Sequence, residues 1–279
     1  MRLRRSIFVP AVLAFGFAFL YVPILSMIFF SFNNSRLVTV WDAAHSPTLK
    51  WYGLLMHNQQ ILRAAWLSIK IAVMNATGAV ILGTMSGFAL VRYGRFRGRT
   101  LLAVMTTAPL VMPEIITGIT QLLLFISMLH VIGWPHRGFT TIAIAHIAFC
   151  TAYVTITVQS RLASADRSLE EAAMDLGAGP VRAFVDTTLP IIMPALASSW
   201  LLSFTLSLDD LVISSFVSGP GASTLPMVIF SKVKLGVSPD INALASLIIC
   251  LVGVCVLVAG YLMRRTERQR LLDAQLAER

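Results

Sequence analysis

Charge is scarce in this sequence. Of 279 residues, 22 are Lys or Arg and 13 are Asp or Glu, so 13% are charged, about half the share of a typical soluble domain. Cysteine is scarce too. Cys150, Cys250 and Cys255 all lie in apolar stretches, which reads as small buried hydrophobes and suggests neither a disulfide nor a CxxC metal site. No Gly-Lys pair occurs, hence no G-x-x-x-x-G-K-[ST] loop, and ATP binding through a P-loop is excluded. His/Asp/Ser, Cys/His and metal constellations at catalytic spacing are missing as well, which argues against a membrane-embedded enzyme. The GTMSG around Ser86 is not a G-x-S-x-G elbow. What is abundant is apolar surface: 57% of residues are hydrophobic and the mean hydropathy is +0.78. Disordered and collagenous chains are thereby excluded, and a soluble domain of this length cannot hide so much apolar surface. An all-α integral membrane protein remains, with the lipid bilayer as its first partner. The net charge of +9 would suggest nucleic acid in a soluble protein; here it reports Lys and Arg facing the cytoplasm, and no nucleic-acid partner is expected.

About 20 apolar residues cross the hydrocarbon core as a helix. Six stretches qualify, at about 7–30, 67–91, 100–129, 139–159, 191–217 and 241–263, and they predict a single transmembrane domain over 1–279. The first follows Arg2, Arg4 and Arg5 but is too long for a signal-peptide core and lacks an A-x-A site, so it reads as a retained helix. With the N-terminus inside, 15 Lys/Arg fall on the inner segments and 7 on the outer, which places both termini, including a tail at 264–279, in the cytoplasm. The outer connection 31–62 carries Trp41, Trp51 and Tyr52, either an interfacial aromatic belt or a docking surface for something outside. Asn75, Ala79, Gly83 and Gly87 repeat every four residues, a small-residue stripe that lets helix backbones approach. His146 and Cys150 stand at i, i+4; two ligands make no metal site, and a buried polar packing role is expected.

The longest inner loop, 160–190, carries the strongest pattern. Ser168 with Glu171 three residues later reads as a capping box, predicting a short helix over Leu169–Leu176 with Gly177 as its left-handed C-cap. Leu169, Ala172, Ala173 and Leu176 fall on one stripe, so the helix must lie against lipid headgroups or a soluble protein. Glu171-Ala172-Ala173, then Gly177 after three residues, then Leu189-Pro190, resembles the EAA loop of binding-protein-dependent ABC importer permeases, with Thr187 standing where Ile is usual. FNNSRLVTVW, KWYGLLM at 50–56, APLVMPEIITG at 108–118, HIAFCTAYV at 146–154, SFTLSLDDLVISSFVSGPGASTLP at 203–226 and GVSPDINALA at 236–245 are similar to polyamine importer permeases, nearest to the second permease subunit of a putrescine or spermidine system. FRGR and SGPGASTLP favour putrescine.

This resemblance implies a type I ABC importer permease fold and a subunit of a bacterial inner-membrane importer. Glu171, Ala172, Ala173, Gly177, Leu189 and Pro190 would couple the chain to an ATPase. The implied partners are a second permease subunit, an ATP-binding subunit dimer and a periplasmic polyamine-binding protein. No cofactor or metal would be bound by this chain, ATP and Mg being used by the ATPase. The rival is a stand-alone secondary transporter or channel for organic cations, although no internal inverted repeat stands out.

Three acids lie inside the apolar stretches: Glu114, Asp209 and Asp210. Such acids are costly in a bilayer. Glu114 lies about 21 Å and Asp209 about 27 Å along its stretch, counted from the inner end at 1.5 Å per residue. On a continuous helix Ser203, Ser207, Asp210 and Ser214 would share one face, suited to protein or water. A polyamine needs spaced anions and apolar walls for its methylenes. Glu114, Asp209, Asp210 and Ser207, with Trp41 outside, are therefore the candidate substrate-path residues. The bland alternatives are that these acids pair internally, cap helix breaks near Pro109 and Pro113, or form a gate.

Overall fold

The computed structural model describes residues 8–35, 40–236, 239–254 and 261; the N-terminal arginines at 2, 4 and 5, the end of the sixth stretch and the tail 264–279 lie outside them. Among the described residues all regular structure is helical. Five helical segments are long and apolar enough to cross a membrane: Phe8–Phe30, Gln59–Arg92, Glu114–Ile132, Phe139–Ala163 and Pro180–Asp209, with shorter apolar helices at Arg99–Val111 and Pro239–Val254. The chain divides into two compact units, residues 1–59 with 231–279, and residues 60–230.

In the first unit, α1 (Phe8–Phe30) buries none of its side chains, which suits a helix whose surroundings are lipid or another chain. The segment after it closes on Asn33. This side chain donates to the Val40 carbonyl (2.7 Å) and accepts from the N–H groups of Ser35 and Asp42. Trp51, on α2 (Lys50–His57), donates its indole N–H to the Asn33 carbonyl at 2.7 Å. Tyr52 bonds Ser31 (2.7 Å) and also Ser246, on the helix Pro239–Val254, which we label α12. Trp41 stacks on Phe29, ring centres 4.4 Å apart.

The second unit is organised around α6 (Phe139–Ala163), the most buried of the long helices. The small-residue stripe of α3 (Gln59–Arg92) lies on it: a Cβ added at Gly83 would stand 2.5 Å from Val154 Cβ, and one at Gly87 2.9 Å from Val158 Cγ1. Such separations exist only where one partner has no side chain. Asn75, at the far end of the stripe, donates to the Ser203 carbonyl at 2.8 Å and to the Cys150 thiol.

Two of the expected continuous helices are broken. The stretch 100–129 is α4 (Arg99–Val111) and α5 (Glu114–Ile132), separated at Met112 and Pro113. The reason is local. Pro113 has no N–H to continue the ladder, and it forces the residue before it into extended backbone, Met112 having φ −78° and ψ 136°. The stretch 191–217 is α9 (Leu189–Asp209) followed by α10 (Val212–Val217), with Asp210 extended between them. Upstream of α9 come α7 (Ser168–Asp175), α8 (Pro180–Ala183) and a π-turn over Phe184–Thr188. A further helix, α11 (Leu225–Leu235), was not anticipated. α10 packs on α5, where a Cβ at Gly118 would meet Phe216 at 2.7 Å, and its end is tied to the start of α6 through Thr141, which donates to the Val217 carbonyl at 2.7 Å.

The expected capping box is absent. Ser168 is the first residue of α7, its side chain makes no cap bond, and its N–H instead donates to Asp166 Oδ1 at 2.9 Å. That bond holds the Asp166 carboxyl below the usual carboxylate range. Gly177 does end the helix as expected, with φ +91°. The N–H groups of Gly177 and Ala178 reach the Met174 and Ala173 carbonyls at 2.9 and 3.1 Å, the paired bonds of a Schellman motif.

Candidate functional site

The helix breaks bring the expected acids together. Glu114 is the first residue of α5, Asp209 the last of α9, and Asp210 the extended residue after it. All three line one cavity of about 210 Å³, with Ser207, His146, Cys150 and the apolar Phe149, Leu206 and Val212. Glu114 and Asp209 are exposed there, and neither has a cationic partner among the described residues. Glu114 at a helix N-terminus sits where negative charge is favoured, so the break that Pro113 imposes also makes room for the carboxylate.

Asp210 is placed differently. Its side chain is 9% exposed and is spent on structure. One oxygen accepts from the Ser214 N–H at 2.7 Å and the other from the Ile213 N–H at 3.2 Å, capping α10. His146, 2% exposed on α6, stands 3.1 Å from the same carboxylate, 2.7 Å from Ser207 Oγ and 3.1 Å from Ser214 Oγ. The polar face drawn through Ser207, Asp210 and Ser214 therefore exists, but across a helix break and closed by a histidine. Ser203, further along α9, is buried without a side-chain partner. The buried polar role expected of His146 is what the structure shows, with Ser207, Asp210 and Ser214 as its partners. The available signal was an imidazole inside an apolar stretch that also faced an acid elsewhere. Trp41 belongs to the other unit and uses its ring on Phe29.

A second constellation surrounds α7. Glu171 is 56% exposed and pairs with Arg167 one turn away. Ala172, Leu169, Met174, Leu176 and Val181 are all exposed. Their apolar surface has no cover from the described residues, as a docking helix requires. The neighbouring acid, Glu170, turns inward. Its Oε1 accepts from Arg92 at 2.8 Å and from Thr188 at 2.9 Å. Arg92, Glu170, Thr188 and Leu189 stand on the wall of a mostly apolar cavity of about 600 Å³. Pro190 lies in the first turn of α9, where proline costs no hydrogen bond.

The family described as "Binding-protein-dependent transport system inner membrane component" matches residues 79–271. Over 276 residues the chain is 55% identical to the putrescine transport system permease protein PotI of Escherichia coli strain K12, covering 99% of this chain and 97% of that protein. The spermidine/putrescine transport system permease protein PotC of the same strain is 42% identical over 263 residues, 94% and 95% of the two chains. Among solved structures, a bacterial ABC transporter involved in the import of the acidic polysaccharide alginate superposes with a TM-score of 0.72 at 19% identity, over 91% of this chain and 94% of that one. The MetNI methionine ABC transporter, in inward-facing conformations, gives 0.59 at 15% identity, over 74% and 95%. At such identities the likeness carries the fold alone.

Proposed function

Because the chain belongs to the family of binding-protein-dependent transport system inner membrane components, and is accordingly a multi-pass inner-membrane permease with the fold of ABC importer permeases, we propose that it forms half of the translocation path of an ATP-driven polyamine importer with putrescine as cargo. The observation that carries this reading is the cavity in which Glu114 and Asp209 stand exposed, without a cationic partner among the described residues, beside Phe149, Leu206 and Val212. Putrescine is two ammonium groups on a short aliphatic chain, and it needs separated anions together with an apolar wall. A second permease subunit supplies the other half of the path, and a periplasmic polyamine-binding protein delivers the cargo. The near full-length identity to a putrescine permease supports the same cargo.

In this reading the chain works as one permease domain with both termini cytoplasmic, and α7 docks on an ATPase dimer that binds ATP and Mg. The exposed stripe of Leu169, Ala172 and Leu176 supports docking; a stand-alone carrier has no use for it. Glu171, Ala172, Ala173 and Gly177 belong to that docking helix and its cap, while Leu189 and Pro190 begin α9.

The test is uptake of labelled putrescine by the reconstituted transporter. Glu114→Gln and Asp209→Asn keep size and remove charge. A cation beside one carboxylate gains about 1 kcal/mol at an exposed site and about 4 kcal/mol at 4 Å where water is partly excluded. Each variant should therefore lower uptake efficiency by about fivefold or more, with ATP hydrolysis by the complex retained. Unchanged uptake in both variants refutes the cation path.

A further inference from the structure

We propose that Arg92, Glu170 and Thr188 form the internal linkage through which displacement of α7 is passed to α3 and α9, so that these three residues set how tightly ATP hydrolysis is coupled to transport. The inference rests on the reading that α7 docks on an ATPase.

One oxygen atom joins three elements. Glu170 Oε1, on α7, accepts from Arg92 Nε at 3.1 Å and Nη2 at 2.8 Å, and from Thr188 Oγ1 at 2.9 Å. Arg92 is the last residue of α3, and Thr188 is the last residue of the π-turn that leads directly into α9. The ion pair is withdrawn from water, with side chains 11% and 14% exposed. The other two pairs nearby differ in kind. Arg167–Glu171 and Arg182–Asp186 are i,i+4 pairs, each side chain more than half exposed, and each bridges a single turn of chain. Exposed pairs of that sort hold little, whereas separating a buried pair leaves an uncompensated charge and is strongly resisted.

One apolar contact runs beside the linkage: Phe88 of α3 meets Phe184 of the π-turn edge to face, ring centres 5.1 Å apart. Away from that contact Val80 and Thr84 of α3 line a cavity of about 600 Å³ together with Val181 and Leu196. The ring contact bypasses α7, so the Arg92–Glu170 pair is the stiff polar path between α7 and α3. The π-turn has a wider, weaker hydrogen-bond ladder than an α-helix and recurs at places that must adjust. A pull on Thr188 therefore reaches the lower end of α9, which runs about 30 Å to Asp209 at the cation cavity.

The test uses the complete transporter in liposomes, with its second permease, ATPase and binding protein, and reads putrescine imported per ATP hydrolysed. Arg92→Gln should assemble and hydrolyse ATP while this ratio falls about tenfold, the size of an ordinary coupling between sites. The exchange Arg92→Glu with Glu170→Arg rebuilds the pair and should restore the ratio to within about twofold of the parent, whereas a purely local stabilising role leaves the ratio constant in every variant. Thr188→Val removes one hydroxyl and keeps the shape; a fall of about threefold is expected, and it serves if Arg92→Gln does not assemble. A parental ratio in Arg92→Gln or in Thr188→Val overturns the proposal, and so does an exchange variant that assembles with a ratio as low as Arg92→Gln. Gly177→Val, which disturbs the end of α7 itself, separates the two readings. If it too leaves the ratio unchanged, α7 is not the coupling element; if it alone uncouples, α7 couples by another route.

Discussion

Replacing Asp210 separates two roles that its position in the sequence confuses. The carboxylate caps α10 through the Ile213 and Ser214 N–H groups and receives His146 at 3.1 Å. Asn offers an acceptor of the same size to the helix end and ranks with Asp as a cap, so Asp210→Asn loses mainly the charge assistance of the His146 contact, worth about 1 kcal/mol. Asp210→Ala loses the cap, about 1 kcal/mol, and leaves the 2%-exposed imidazole without its carboxylate, a further 1–3 kcal/mol or so. The expected order is parent, then Asn close behind, then Ala clearly below. It should appear both in the half-life of the detergent-solubilised complex at a fixed temperature and in putrescine uptake scaled to the amount of complex. The charge itself should matter little for uptake, because it faces His146 and two backbone amides. An Asp210→Asn transporter with normal half-life and abolished uptake would show that the negative charge acts on the cargo, and the assignment of Asp210 as a positioning residue would be wrong.

Other expectations concern packing and placement. Gly83→Ala sets a methyl group 2.5 Å from Val154 Cβ and 3.1 Å from the Thr155 backbone nitrogen; it should destabilise the α3–α6 contact by about 1–3 kcal/mol and lower the yield of folded chain. Gly53→Ala on α2, with nothing within 4 Å, should leave yield unchanged or slightly raised, and equal behaviour of the two variants would refute the close approach. Cysteines introduced at Ala44 and Ser223, both exposed, should react with an impermeant reagent added outside intact cells, and one at Arg95 only after permeabilisation; the reverse pattern would invert the topology.

Much of the architecture was legible because it rests on patterns that survive in one dimension. The four-residue spacing of Asn75, Ala79, Gly83 and Gly87 identifies the face of α3 that meets α6, and Gly177 marks the end of α7 because only a residue without a side chain enters the left-handed region there without strain. The helix breaks were less legible. Proline is tolerated inside membrane helices, as Pro23, Pro109 and Pro194 show, so composition alone does not say that Pro113 ends a helix. The break at Asp210 is capped locally by the Ile213 and Ser214 N–H groups, but the His146 that closes on it lies 64 residues away in sequence, which no local pattern contains. The two adjacent glutamates at 170 and 171 make the same point more sharply. Sequence likeness selects Glu171 as the motif residue, yet consecutive positions on a helix point about 100° apart, and it is Glu170 that turns inward. Its partner Arg92 counts, in the charge tally, as one more inner-side arginine, but it differs from its neighbours in being withdrawn from water by a contact 78 residues along the chain. Charge statistics thus give the chain an expected orientation in the membrane, while the pairing of single charges decides which of them hold the helices together and which, like Glu114 and Asp209, remain available to a cation.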